Sequence, residues 1–298
     1  MPKKPPVPSA PMLGNVILTM GDRPAEVAAL LDSVEKQDGG PVPTVVIGQG
    51  APLPPMPDWV DAVELTENLG IPGGRNVGVR RLRERGDIDV VVVLDDDGSL
   101  PRQDTMRLIR EAFAASPRLG VVGFRIEDEE GLTQRRHVPR LRASDPMRSS
   151  KVTTFLGGGH AIRMDVIDEV GDFPAPFFYA HEETDFAWRV LDADWDIEYR
   201  ADMVLRHPRT SPARHAAYYR NVARNRVWLA RRHLPAVLVP VYLGVWALLT
   251  VVRRPPLSGL RAWWGGFFEG VRTPCPPRKP IRWRTVWRMA RLGRPPVI

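Results

Sequence analysis

The stretch that most constrains this chain is Val90-Val91-Val92-Val93-Leu94-Asp95-Asp96-Asp97-Gly98-Ser99. Five consecutive apolar residues, most of them β-branched, predict a strand buried on both faces, as in the middle of a parallel sheet. Three carboxylates follow without a break, and Gly98 then allows a sharp turn. Adjacent carboxylates repel one another, and a divalent cation among them removes the conflict. Hard oxygen ligands at the carboxyl end of a buried parallel strand suit Mg²⁺ or Mn²⁺ carrying a diphosphate. A solvated acidic turn is the plain alternative, and the buried strand in front of it argues against that.

The rest of the first two hundred residues fits a sheet of this kind. Strand-like runs are expected at residues 15–20, 44–47, 61–65 and 121–126. Between them, Val27, Leu30, Leu31 and Val34 recur at helical spacing, as do Met106, Ile109 and Phe113. Such alternation signals an α/β domain with a mainly parallel sheet. Beyond residue 127 the pattern breaks into charged loop. Residues 153–156, 197–199 and 203–205 read as short strands, and residues 213–233 as a long helix rich in arginine.

Charge divides the chain. Residues 1–205 carry 23 Lys and Arg against 34 Asp and Glu, whereas residues 206–298 carry 19 against the single Glu269. A basic segment of this kind meets nucleic acid or an anionic membrane. Residues 234–252 contain no charge, and arginines flank them on both sides. A buried core helix, a short span and an interfacial segment are the three readings of that run. Behind it, Trp263, Trp264, Phe267, Phe268, Trp283 and Trp287 stand among arginines, the composition of a membrane-surface helix. Nucleic acid does not account for the uncharged run, so it is not expected as a partner. One cysteine, Cys275, excludes a disulfide framework or a cysteine zinc site within the chain, and a reducing, cytosolic side is expected. The proline-rich residues 1–12 lack the apolar run of a signal peptide and are expected to be disordered.

Taken together, several segments resemble one family. These are the loop Asn68-Leu69-Gly70-Ile71-Pro72-Gly73-Gly74-Arg75-Asn76, the Asp95-Asp96-Asp97-Gly98-Ser99 turn, Gly157-Gly158-Gly159-His160-Ala161, and Glu182-Glu183-Thr184-Asp185-Phe186-Ala187-Trp188-Arg189. In order and spacing they resemble family-2 inverting glycosyltransferases of the GT-A fold, over residues 15–233. The resemblance implies a GT-A-like (Rossmann-like) mixed α/β sheet flanked by helices, over residues 13–233. Residues 234–298 then form a helical, membrane-associating tail. It also implies a nucleotide-sugar donor, a Mg²⁺ or Mn²⁺ ion and one displacement at the anomeric carbon. Asp95 and Asp97 occupy the DxD positions, with Asp97 and His207 expected on the metal. Thr19, Arg23, Gln49, Arg75, Asn76, Asp95 and Asp96 are expected around the donor. Glu183 stands at the position of the catalytic base, where the family more often has Asp. Gly158, Gly159, His160, Glu182, Asp185, Trp188 and Arg189 are expected near the sugar or acceptor. Where the family commonly has an acid that reads the base, this chain has Gly48-Gln49-Gly50, which leaves the nucleotide open.

The expected activity is transfer of a sugar to a hydroxyl of a lipid-linked or cell-envelope glycan, at the cytoplasmic side of a membrane. Arg209 and Arg214 are further candidates for phosphate contacts. Two rivals remain at this stage. Asp95-Asp96-Asp97-Gly98-Ser99 also fits the first motif of haloacid-dehalogenase-like phosphotransferases, with Asp95 as nucleophile and Lys151 as the most plausible lysine. A non-catalytic, membrane-tethered sugar-nucleotide-binding protein is the other.

Overall fold

The computed structural model describes residues 10–141, 145–209 and 216–297. The expected disordered tail thus lies outside the described residues for positions 1–9, as does Arg214. Eight strands form one sheet among the described residues, in the order β3-β2-β1-β4-β7-β5-β8-β6. The first four are β1 (Leu13–Thr19), β2 (Thr44–Gln49), β3 (Val60–Leu65) and β4 (Val90–Asp95), all parallel. Then come β5 (Leu119–Glu127), β6 (Ser150–Lys151), β7 (Gly159–Arg163) and β8 (Asp196–Arg206). β7 runs antiparallel between β4 and β5, while β8 lies parallel to β5.

The valine run of β4 shows why the sheet is central. Val91 and Val93 pack on one face with Val16, and Val90, Val92 and Leu94 on the other with Leu13 and Ile17. Successive side chains of a strand point to opposite faces, so an unbroken apolar run needs cover on both. Helices α1 (Pro24–Glu35) and α3 (Thr105–Ala115) supply one cover through Leu30, Val34, Met106 and Phe113. Helices α2 (Gly70–Arg85), α4 (Met164–Val170) and α5 (Glu182–Asp192) supply the other through Val79, Leu82, Val166 and Phe186.

Two local expectations differ from the structure. Residues 153–156 form no strand; the strand is β7, where the glycines lead directly into His160 and Ala161. A buried antiparallel strand must thread between β4 and β5, and the small residues at its start fit there against Phe124 and Leu205. Residues 197–199 and 203–205 belong to one strand, β8, with a register shift opposite Phe124 and Arg125 that absorbs the irregular middle.

The basic segment begins with α6 (Ala216–His233), followed by α7 (Leu238–Val252), α8 (Leu257–Arg272) and α9 (Trp283–Arg291). α8 lies close against α6 because Gly266 meets the Arg220 carbonyl, where any Cβ would collide. Arg282, Arg284 and Arg288 reach Asp192, Asp194 and Asp196, so part of the basic excess is spent on the acidic domain. α7 spans only 15 residues. At 1.5 Å per residue that is roughly 22 Å, short of the ~30 Å hydrocarbon thickness. No helix among the described residues is long and apolar enough to cross a membrane. α7 is not a core helix either, because Tyr242 is its one buried residue.

Candidate active site

Sheet topology picks out the site before any side chain does. From β1 the chain moves outward to β2 and β3, then returns to the other side of β1 with β4. At such a reversal the loops leave the carboxyl ends of β1 and β4 in opposite directions and open a crevice. Thr19 ends β1, Gln49 ends β2 and Asp95 ends β4. A cleft of about 540 Å³ opens there. It is bordered by Thr19, Arg23 and Gln49, by Arg75, and by Asp95, Asp96, Asp97 and His207.

The acidic turn is tied down from both sides. The Gly98 amide donates to the Asp95 carbonyl at 3.0 Å and closes the turn. Ser99 and Arg206 exchange both backbone hydrogen bonds, at 2.8 and 2.9 Å. That bridge sets the end of β8 beside the turn, and the next residue is His207. Its Nε2 lies 2.9 Å from Asp97 Oδ1 and 3.8 Å from Asp95 Oδ2. One ligand atom from each of Asp95, Asp97 and His207 falls within 4.8 Å of the others, a spacing that fits a divalent cation. Burial opposes charge on the imidazole, but the Asp97 hydrogen bond and the charges of Asp97 and Asp95 push its pKa up to about 9. Burial likewise raises Asp97, yet His207 and Arg23 outweigh it and hold that carboxyl below its ordinary value. Asp96 turns toward Thr19 and Arg23.

A second group adjoins this space from α2 and α5, with Arg75 on the border of the cleft. Arg75 is buried, and its guanidinium lies 3.1 Å from Glu183 Oε1 and 3.6 Å from Glu182 Oε1. The same guanidinium donates to the Gly157 carbonyl at 3.0 Å. Burial, then the charge of Glu183, drives Glu182 well above the ordinary carboxyl range. Glu182 is 2% exposed, which leaves Glu183, in contact with Arg75, as the more open side chain of the pair. Glycines join the two groups. Asp95 N donates to the Gly158 carbonyl at 3.0 Å, and a Cβ on Gly158 would lie 2.6 Å from Asp95 Oδ2. A Cβ on Gly157 would overlap Glu183 Oε1 and lie 2.9 Å from the Arg75 guanidinium. Asp95 stands within electrostatic reach of both Arg75 and Glu183.

Other expected residues stand elsewhere. Asn76 exchanges two hydrogen bonds with the Phe173 backbone, at 2.9 and 3.0 Å, and so anchors that loop instead of facing the cleft. His160 is fully buried against Phe155, with Nδ1 at 3.1 Å from the Leu156 carbonyl. Asp185 and Arg189 form an interior ion pair at 2.9 Å, and Trp188 packs beside them against His233. Gln49 reaches the cleft but spends its amide on Gly70 O and Leu69 N, fixing the loop that opens α2. Gly159 is a packing position in β7. Arg209 pairs with Asp128 and Glu130, and Lys151 with Asp196. Among the described residues no lysine borders the cleft, so the phosphotransferase rival gains no support from it.

Sequence reasoning passed over Asn68, Phe178 and Tyr179, which also border the cleft. The aromatic pair belongs to the Phe177-Phe178-Tyr179 run, a visible signal next to the acidic pair. Asn225, buried on α6 and donating to the carbonyls of Phe177 and Tyr179 in that run and of Ala180 after it, had none.

No protein-family model matches the sequence, and no curated protein is similar to it in sequence. Solved structures are similar in fold. GalNAc-T7, crystallised with UDP, GalNAc and Mn²⁺, superposes with a TM-score of 0.62 at 12% identity, over 79% of this chain and 50% of that one. The GT-A fold is the one this chain has. The mannosyltransferase PcManGT from Pyrobaculum calidifontis, in complex with GDP-Man and Mn²⁺, shares this GT-A arrangement over 95% of this chain and 73% of its own, with a TM-score of 0.52 at 15% identity. TarS of S. aureus does so over 74% of this chain and 39% of its own, with a TM-score of 0.51 at 16% identity. The chain thus spans about half the length of GalNAc-T7 and less of TarS. Identities this low establish the GT-A fold and leave the chemistry to the site itself.

Proposed function

We propose that this chain is a metal-dependent inverting glycosyltransferase that moves a hexosyl group from a nucleoside diphosphate sugar to a hydroxyl. The observation that carries the reading is the closeness of two groups, one on the acidic turn in the crevice and one adjoining it through Arg75. Asp95, Asp97 and His207 gather at a strand end, and the Arg75–Glu183 pair gathers around the next glycine loop. The mixed oxygen and nitrogen donor set suits Mn²⁺ better than Mg²⁺. Asp95, Asp97 and His207 would hold such a cation, which would offset charge on a departing diphosphate. The complexes of GalNAc-T7 with UDP and Mn²⁺, and of PcManGT with GDP-Man and Mn²⁺, support the same assignment.

In this reading Arg23 and Thr19 fix Asp96 and the outer side of the turn. Glu183 takes the acceptor hydroxyl's proton while the oxygen attacks the anomeric carbon from the face opposite the diphosphate. The new C–O bond forms as the bond to the diphosphate breaks, and its electron pair leaves with the nucleotide. Arg75 aims the carboxylate. Thermal unfolding with a panel of nucleoside diphosphate sugars and Mn²⁺ tests this. The expected result is a rise with at least one donor that requires Mn²⁺ and disappears in Asp97→Ala. A flat response across uridine, guanosine and thymidine donors removes the proposal.

The acceptor proposed is a lipid-linked or cell-envelope glycan, reached from the cytoplasmic face of a membrane. Support comes from α7 and its surroundings, where Val251, Val252, Arg253, Arg254 and Leu257 are all exposed. Apolar side chains beside arginines suit the interface of an anionic bilayer. Co-sedimentation with phosphatidylglycerol vesicles at low salt is the check. Absence of binding there eliminates the membrane part and leaves the transferase part standing.

A further inference from the structure

Both oxygens of the Asp97 carboxylate have a partner in the folded chain. His207 Nε2 lies 2.9 Å from Oδ1, and the Arg23 guanidinium donates to Oδ2. The same guanidinium lies 3.5 Å from Asp96 Oδ1. Asp97 belongs to the group spaced to share a cation, so one of its two contacts must open before a cation can meet it on that side. The two partners differ in kind. His207 is itself in the ligand set and can serve a cation from the place it holds. Arg23 cannot, because a guanidinium has donors only and keeps its charge, so it competes with a metal ion for the carboxylate.

Arg23 is also the partner with freedom to turn. Its backbone is set where Pro24 opens α1, while its side chain is 44% exposed against 10% for Asp97. It borders the cleft in which the diphosphate is proposed to lie. A guanidinium fork matches phosphate oxygens as it matches a carboxylate, and a diphosphate carries more charge than one carboxylate. The guanidinium can leave Asp97 without leaving Asp96, and the exchange uncovers Asp97 Oδ2. We propose that Arg23 is a positioning residue that couples the two ligands of the cleft, closing the metal site by pairing with Asp97 and opening it by turning to a diphosphate. This rests on the metal and diphosphate assignment of the proposed function and adds an order to it. A metal ion alone meets a carboxylate that is taken, whereas a metal ion arriving with a diphosphate meets one that is free. Such coupling is reciprocal, so the ion should also strengthen diphosphate binding through the same arginine.

The test titrates Mn²⁺ into the full chain without nucleotide and reads free Mn²⁺ by electron paramagnetic resonance. Arg23→Gln should bind Mn²⁺ about fivefold more tightly than the wild type, the upper end for an ion pair with one exposed member. Asp97→Ala added to Arg23→Gln should remove that gain. Arg206→Gln controls for loss of charge alone, because Arg206 precedes His207 and pairs with Glu127 instead. Its effect should be much smaller. A calorimetric titration with inorganic pyrophosphate at saturating Mn²⁺ reads the other half. There Arg23→Gln should bind pyrophosphate more weakly by a similar factor, so that one substitution moves the two ligands in opposite directions. An arginine that merely holds the turn in shape would weaken both. Mn²⁺ binding by Arg23→Gln no tighter than by the wild type, a gain matched by Arg206→Gln, or an unchanged pyrophosphate affinity each overturns the proposal and leaves the transferase reading standing. No Mn²⁺ binding in either protein overturns the proposal together with the metal site.

Discussion

Glu183 and Asp185 lie two residues apart on α5, and the structure sends them to opposite environments. Two residues subtend about 200° around a helix, so one carboxylate faces the glycine loop and the other the interior. Glu183 is partly open and meets Arg75 at 3.1 Å. Asp185 is fully buried, with His233 at 2.6 Å, Arg189 at 2.9 Å and Arg232 at 3.0 Å. One carboxylate is partly exposed beside a single cation, whereas the other is buried among three. Adjacent acids in a sequence are therefore not a single functional unit. Helical geometry divides them between a chemical task and a structural one.

The sharpest way to break that division is to neutralise each acid separately. Glu183→Gln keeps the shape and removes the acceptor of the proton. Transfer should fall by about 10³-fold or more, within the usual range for a general base, with donor binding unchanged. Transfer kinetics and a donor titration read the two quantities. Turnover near the wild-type rate would remove Glu183 from the mechanism.

Asp185→Asn should act on stability instead. It strands Arg189 and Arg232 in the interior, at a cost of about 3–5 kcal/mol. Burial alone would raise the Asp185 pKa, but the His233 charge and hydrogen bond, then Arg189 and Arg232, hold it down at about 2. A folded-state value below the unfolded one means the carboxylate stabilises the fold above about pH 4, and that the gain is lost as pH falls toward 2. The contribution is about 2–3 kcal/mol. Melts from pH 7 to pH 2 should show the wild type losing its advantage over Asp185→Asn below pH 4. An unchanged gap across that window contradicts the assignment.

The same contrast explains how much was legible in advance. The β4 run and its acids were readable because a buried parallel strand needs an unbroken apolar stretch, and the turn after it sits where crevices form. The strand at residues 159–163 was hidden because glycine and histidine carry little β preference, and only their place between β4 and β5 makes them a strand. Asp185, Trp188 and Arg189 looked like neighbours of Glu183 because a sequence records adjacency and not which side of a helix faces a cleft. Asn76 was similar: its amide matches a loop backbone that lies 97 residues away in the chain. His207 was placed by the Ser99–Arg206 bridge, a contact between distant segments that a strand-end histidine hints at and does not prove.

Gly157→Ala sharpens the comparison on the cleft side alone. The added methyl collides with Glu183 Oε1 and presses on the Arg75 guanidinium, while Asp185 on the far side is untouched. A displacement of about 1 Å at a base costs on the order of 10²-fold in rate. The expected outcome is that loss in kcat with a melting temperature close to wild type. A large drop in melting temperature with normal kcat would mean that Gly157 serves packing.

The smallest expected effect concerns the loop that leads into α5. Phe178, Ala180 and His181 all adopt left-handed backbone angles, with φ of 62°, 73° and 70°. Each such residue costs about 1–3 kcal/mol unless its surroundings impose the conformation. Asn225 imposes it, because its Nδ2 donates to the carbonyls of Phe177, Tyr179 and Ala180 at 2.8–2.9 Å. Phe178 and Tyr179 border the cleft, whereas Glu183 is held separately by Arg75. Asn225→Ala should therefore raise KM about tenfold and lower kcat by much less. Asn225→Asp has the same shape but offers no donor, so it should match the alanine variant. An aspartate variant with wild-type KM would show that the three hydrogen bonds do not hold the loop, and that the strained backbone is fixed by the packing of α6 alone.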